Sequence, residues 1–344
     1  MPSLSIIING GNIHAKGQQG SSAIGGSDYD RNVSSDGDTP GNLRQGGSIT
    51  INGGVVRTEP FALPEGNPLA VDSVGIGTCQ MGYGGSVTIN GGTVIAEATC
   101  DAITTGYGGT ITINGGDVTA IGGVNNFGEN SHRVLSGNGI GPYESGSVII
   151  NGGTVIAATC SDSADSGLDS DNGIYINGGI VIASGNMYDA VDGGDQTYAV
   201  FQFAQKQSGG QTYTLKNAAG ETILEMTPEN AFQYLVVSTP GLAEGEYTLW
   251  CGDTQLGGST GSVGGPSGGM GRPDGQPPEG APGQKPEGAD DGQQPPEPPA
   301  DGQRPEGGPN GAMDGGNSAD AAERSDTFTL QSGANQFTNV GALT

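Results

Sequence analysis

Basic residues are scarce. The 344-residue chain has 11 Lys and Arg against 37 Asp and Glu, a formal net charge of −26. Nucleic acid and anionic membrane surfaces both need clustered cations to neutralise phosphate, so neither is an expected partner. Aromatic residues make up only 5% of the chain, with one tryptophan, which leaves no material for a large aromatic core. Four cysteines, Cys79, Cys100, Cys160 and Cys251, include no C-x-x-C pair, so a zinc site is not expected. Cys100 and Cys160 occupy nearly the same repeat position and should lie on one side of the fold, with buried free thiols as the default. No run is apolar enough to cross a membrane. No signal peptide is seen, but the chain opens inside a repeat and reads as a fragment, so this absence carries no information about compartment.

Glycine is abundant, at 68 residues, and it has two sources. One is a Gly/Pro-rich tail, which holds 12 of the 20 prolines after Gly257. The other is a repeat. The string Ile-Asn-Gly-Gly occurs six times, with its asparagine at Asn9, Asn52, Asn90, Asn114, Asn151 and Asn177. On either side, apolar and polar residues alternate. Val87 and Ile89 alternate with Ser86 and Thr88, and Val94 and Ala96 with Thr93 and Ile95. Period-two alternation marks strands with one buried face. Asn-Gly-Gly tolerates positive φ and supplies a sharp corner between them.

A second mark follows later in each coil: a small residue, an aliphatic, then Gly, Thr or Asp. It occurs at Ala23-Ile24-Gly25, Gly75-Ile76-Gly77, Ala102-Ile103-Thr104, Gly139-Ile140-Gly141, Gly167-Leu168-Asp169 and Ala190-Val191-Asp192. It reads as a third strand. The shortest motif spacings, 24 and 26 residues, suit one three-sided coil, and spacings of 37, 38 and 43 imply inserted loops. The fold class is therefore all-β: a right-handed parallel β-helix over residues 1–196, with aliphatic columns stacked about 4.8 Å apart. The repeated asparagines should form a column whose amides bond the turn backbone above or below.

After Asp195 short alternating runs between turn residues read as an antiparallel β cap over 197–257, needed because a solenoid must cover its last coil. Trp250 is expected in the core of that cap. Residues 258–324, rich in Gly, Pro and Asp and nearly free of large apolars, are expected to be a disordered linker of the kind that tethers a module to a cell wall. Residues 325–344 read as a short segment that opens a further module.

Acidic residues concentrate in the last two coils, at Asp162, Asp165, Asp169, Asp171, Asp189, Asp192 and Asp195. If coils five and six stack in register, Asp169 and Asp192 lie about one rung apart, while Asp169 and Asp171 share a face. Two carboxylates at about 5 Å repel by roughly 3 kcal/mol at an effective dielectric of 20. Such a group either holds protons or takes a hard, oxygen-liganded cation, and calcium suits it. Solvated loop carboxylates are the other reading. A second acidic loop, with Asp28, Asp30, Asp36 and Asp38, reads as plain solvated surface.

Catalysis is not expected. A lyase needs a basic residue to take the proton α to a uronate carboxyl, and no Lys or Arg lies between Arg133 and Lys206. The polygalacturonase pattern needs Gly-His-Gly, and neither His14 nor His132 has those neighbours. Tyr83, Tyr107, Tyr143, Tyr175 and Tyr188 fall near coil corners, where they either cover loop surface or stack on sugar rings. Ice binding is not expected, because outward Thr-x-Thr is read as isolated pairs.

The run GLDSDNGIYINGGIVIASGNMYDAVDGG (Gly167–Gly194), with the later YAVFQF and EGEYTLW strands, resembles a bacterial carbohydrate-binding β-helix family. That family is known for calcium-binding proteins that bind cellulose and polygalacturonate without cleaving them. The resemblance covers about Ile6 to Gly257. It implies an extracellular or cell-surface, non-catalytic module for acidic or cellulosic polysaccharide. It also implies calcium ligands at Asp169, Asp171, Asp189 and Asp192, with Asp162, Asp165 and Asp195 beside them. A structural adhesin stalk and a polysaccharide lyase are the alternatives.

Overall fold

The computed structural model describes residues 5–17, 21–26, 46–60, 73–77, 84–124, 137–263 and 324–343. They form a parallel β-helix closed by an antiparallel cap. The first sheet stacks Ser5–Ile8, Ser48–Ile51, Ser86–Ile89, Thr110–Ile113, Ser147–Ile150, Ile174–Ile176 and Val191–Gly193 in parallel. The second stacks Asn12–Lys16, Val55–Glu59, Thr93–Glu97, Asp117–Gly122, Thr154–Thr159 and Ile180–Gly185. The third side is shorter. It pairs Ser22–Gly25, Val74–Gly77 and Ile103–Thr104, then continues as single bridges from Ile103 to Ile140 and from Ile140 to Leu168.

Register follows the aliphatic alternation. Ile49, Val87, Ile111 and Val148 stack in one column of the first sheet, and Val56, Val94, Val118 and Val155 in one column of the second. All eight are buried. A slip of one residue would turn each column out to water, at about 1.5–3 kcal/mol per side chain, so the register is strongly held.

The corner between first and second sheets explains the second glycine of the motif. Gly92 and Gly116 have φ of +90° and +95°. A Cβ on either would lie 2.6 Å from the carbonyl oxygen of the equivalent glycine one coil earlier. Backbone conformation and stacking both exclude a side chain there. The asparagines do form a column, but not by bonding the turn backbone. Each Nδ2 donates to the Oδ1 of the asparagine one coil earlier, from Asn177 through Asn151, Asn114, Asn90 and Asn52 to Asn9, every bond at 2.8 Å. Residues in identical positions on stacked coils meet their own kind, and an amide carries both donor and acceptor.

The sixth mark is not on the third side. Val191 pairs with Ile174 in the first sheet, because the coil after Gly185 is cut short. Its third side is Asn186 to Asp189, where the Asn186 and Met187 N–H groups both donate to the Asp165 carbonyl (3.0 and 3.1 Å).

The cap grows out of the second sheet. Ile180–Gly185 pairs antiparallel with Phe232–Ser238, which pairs with Tyr198–Gln207. Tyr213–Asn217, Thr222–Met226, Gly245–Cys251 and Thr254–Thr260 extend it, so the cap runs past residue 257. The few aromatics are spent here: Phe201, Phe203, Tyr213, Phe232, Phe328 and Phe337 are buried against one another, with ring centroids 4.9–5.7 Å apart. Trp250 does not join them. It is half-buried on the outer side, with Lys216 5.0 Å from its ring and its Nε1 donating to Thr248 Oγ1.

Residues 325–344 do not open another module. Phe328–Leu330 pairs with Gly245–Cys251, and Ala334–Ala342 lies between Tyr198–Gln207 and Thr254–Thr260. Phe328, Leu330, Phe337 and Val340 are needed to fill the cap core. One compact unit takes in residues 1–267 and 322–344. Most of the Gly/Pro-rich linker, the loop with Asp28, Asp30, Asp36 and Asp38, and Cys79, Tyr83 and His132 lie outside the described residues. Cys160 and Cys251 are free thiols, and Cys100 is buried.

Candidate functional site

Three of the acidic residues, Asp101, Asp169 and Asp189, lie along the third side. Asp101 precedes Ile103 in coil three and is buried. Its Oδ1 accepts the Asn138 N–H at 2.8 Å. Asn138, one coil on, donates from Nδ2 to Asp169 Oδ2 at 3.2 Å. Its Oδ1 accepts from both the N–H and the hydroxyl of Ser166. One coil further, Asp189 Oδ2 accepts the Ser170 N–H at 2.7 Å, and its Oδ1 the Ala190 N–H at 2.9 Å. A row of Asp101, Asn138, Asp169 and Asp189 thus climbs the coils.

This differs from the register expected between Asp169 and Asp192. Asp192 sits in the first sheet, where its Oδ2 accepts the Ile174 N–H at 3.0 Å. Asp189 takes the place beside Asp169. Nor do Asp169 and Asp171 share a strand face: Asp171 is exposed and accepts the Ser145 N–H, while Asp169 faces Asn138. Residues 169–171 form no strand, so period-two alternation does not apply. Asp162 and Asp195 are exposed.

Burial pushes the Asp169 carboxyl up to about 7, and the neighbouring charges of Asp189, Asp101, Asp165 and Asp171 add to it. Burial also raises Asp189, against the lowering effect of its two backbone bonds, and Asp165. Among the described residues no Lys or Arg forms an ion pair with Asp165, Asp169 or Asp189. Lys206 donates instead to the Ser161 carbonyl.

Hard oxygen donors suit calcium in kind. In number they fall short of a cage: among the described residues no three carboxylate, thiol or imidazole groups converge on one ion. Calcium takes six to eight oxygens, so a site here draws most of its ligands from carbonyls, water or a bound anion.

Asp101 and Asn138 were missed in the sequence. Both directly precede the small-aliphatic mark, as Ser166 does, and aligning that position would have found them. Of the corner tyrosines, Tyr188 is buried and stacks on Tyr234 at 6.2 Å, whereas Tyr175 keeps 38% of its surface exposed.

A protein-family model described as a beta helix repeat matches residues 6–28 and 111–142. No curated protein and no solved structure matches the chain. The similarity supports the β-helix architecture and reaches no further.

Proposed function

We propose that the protein is a non-catalytic, extracellular or cell-surface module that binds acidic polysaccharide through the third-side carboxylates. Calcium would bridge Asp169 and Asp189 to the sugar carboxylates. The supporting observation is the row of half-buried carboxylates, Asp165, Asp169 and Asp189, with Asp169 raised to about 7 and no basic side chain paired with them among the described residues. A partly buried anion without a counter-charge favours any cation that reaches it. Because the protein supplies few carboxylates per ion, an acidic polymer completes the shell, and affinity for calcium and polymer becomes coupled.

The side chains also support a second reading, a stalk. Asp189 and Asp192 each satisfy a backbone N–H of the preceding coil, a purely structural use. The two readings separate on Asp169, whose carboxylate, among the described residues, accepts from a side-chain amide and from no backbone N–H. Asp169→Asn keeps that bond and removes the charge. Under the binding reading it lowers calcium-dependent retention on immobilised polygalacturonate about tenfold or more, the effect of losing one charge-assisted contact. Unchanged retention favours the stalk. Ultraviolet-absorbing unsaturated product in the same incubation would establish a lyase instead.

A further inference from the structure

The cap folds back over the helix and stops short. Ile156 and Ile182 are consecutive in one outward column of the second sheet. Ile182 is 9% exposed, because it belongs to the cap core, whereas Ile156, one coil back, is 38% exposed. The cover therefore ends between these two coils. What ends there is the strand Thr222–Met226. It is the last strand of its sheet, paired on one side with Tyr213–Asn217 and, among the described residues, with no strand on the other. Ser238 pairs with Val181, so the turn after Phe232–Ser238 lies beside Ile180. The start of the edge strand meets that turn, where a Cβ on Gly241 would lie 3.7 Å from Ile223. The loop after the strand is tied to the far end of Thr154–Thr159. Asn230 Nδ2 donates to the Thr159 carbonyl at 3.2 Å, and the Ala231 N–H donates to Ser161 Oγ at 2.9 Å. The strand thus runs along the outer face of the second sheet, with its free edge toward the earlier coils.

A sheet edge offers a row of unpaired N–H and C=O groups, and an added strand bonds to them. Here such a strand would meet a different environment on each face. Inward, its side chains would cover Ile156 and the half-buried Ile95 and Ile121, which point outward from the earlier coils. Outward, they would stand beside Glu225, which has Thr214 as its neighbour on the paired side and no basic partner among the described residues. Exposed Glu221 and Glu229 flank the strand at its two ends. Opposite charges on neighbouring strands attract and like charges repel. A second copy of this edge, with the same three glutamates in a chain of net charge −26, is therefore disfavoured as the partner.

We infer that this edge is a docking site for an extended peptide segment of another protein, apolar on one face and basic on the other, which adds to the cap sheet as one more strand. The edge is 5 residues long. Its length is about 17 Å at about 3.3 Å per residue. Backbone bonds supply affinity, and the alternation of apolar and basic side chains supplies specificity. The site shares no residue with the carboxylate row and needs no calcium, so the inference does not rest on the acidic-polysaccharide reading.

The test is fluorescence anisotropy of a short, labelled, end-blocked peptide of alternating valine and lysine, titrated with the full chain in excess chelator. Wild type is expected to bind it about tenfold or more tightly than a peptide of the same charge whose central valine is replaced by proline, which cannot pair as a strand. Ile156→Glu should weaken binding by about tenfold although it adds negative charge, and Glu225→Lys by a similar factor. Both side chains are exposed, and circular dichroism confirms that each variant is folded. Asp169→Asn should leave binding unchanged. Equal affinity for the two peptides, or Ile156→Glu binding as tightly as wild type, would reduce the attraction to overall charge and overturn the inference. No binding by folded wild type also overturns it. So does a dimer in sedimentation that Ile156→Glu dissociates, which would give the edge to a second copy of the chain.

Discussion

The Asn138 side-chain amide donates to the Asp169 carboxylate at 3.2 Å, while the Asn138 backbone N–H donates to Asp101 one coil earlier. One neutral residue thus spaces two partly buried acids along the axis. The spacing softens their repulsion without removing it; burial first, and the neighbouring charges of Asp189 and Asp101 after it, raise Asp169 to about 7.

Stability should therefore fall with rising pH. Unfolded, Asp169 titrates near its usual 3.8; folded, near 7. Between these values the native chain keeps a proton that the unfolded chain has released, so each step up in pH favours unfolding. Below about pH 4 both forms are protonated and the penalty vanishes. In chelator, Asp169→Asn is expected to match wild type near pH 3.5 and to exceed it by about 3 kcal/mol above pH 8, allowing for partial exposure. Urea denaturation at the two pH values measures this. A variant less stable than wild type at pH 8 would show that the carboxylate is compensated in solution.

The Asn ladder predicts a positional effect. Asn114→Ala removes two side-chain bonds, one to Asn90 and one from Asn151. Asn177→Ala removes one, to Asn151, because Gln196 follows it and turns its amide to Gly179 and Ser238. At about 0.5–1 kcal/mol per exposed bond, the interior variant should lose about twice as much as the end variant. Equal losses in urea titrations would mean the ladder adds nothing beyond local turn preference.

At the corners, Gly116→Ala should cost about 3 kcal/mol or more, since positive φ and the Gly92 carbonyl at 2.6 Å both oppose the methyl group. Gly210→Ala has positive φ but open space around it, and should cost only about 1 kcal/mol. Thermal unfolding of the pair separates stacking from backbone preference.

The segment after the Gly/Pro-rich tail should be indispensable to the cap. Phe337 stacks on Phe201 at 5.4 Å and meets Phe328 edge-on at 4.9 Å. Phe337→Ala is expected to cost about 3–5 kcal/mol. A chain ending at Val263 should bind a hydrophobic dye and lose near-ultraviolet dichroism. A native-like spectrum for that truncation would mean the last strands are accessory.

The β-helix was legible because its signals are local and repeated: alternation sets each strand, Asn-Gly-Gly sets each corner, and identical positions stack. What was not legible depended on counting along an irregular chain. The coil after Gly185 is short, so Asp192 moved to another sheet and Asp189 took its expected place beside Asp169. Asp101 and Asn138 were hidden because their importance arises between coils. The last strands were misread because their partners lie well over a hundred residues earlier, as Phe337 with Phe201. Trp250 followed the alternation of its strand to the outer side, where Lys216 covers it.

The most direct test of the central claim is calorimetric titration of polygalacturonate into the full chain, in calcium and again in excess chelator. Calcium bridging of the Asp169 and Asp189 carboxylates predicts binding in calcium that disappears in chelator. Equal heats in the two buffers, or none in either, would contradict it.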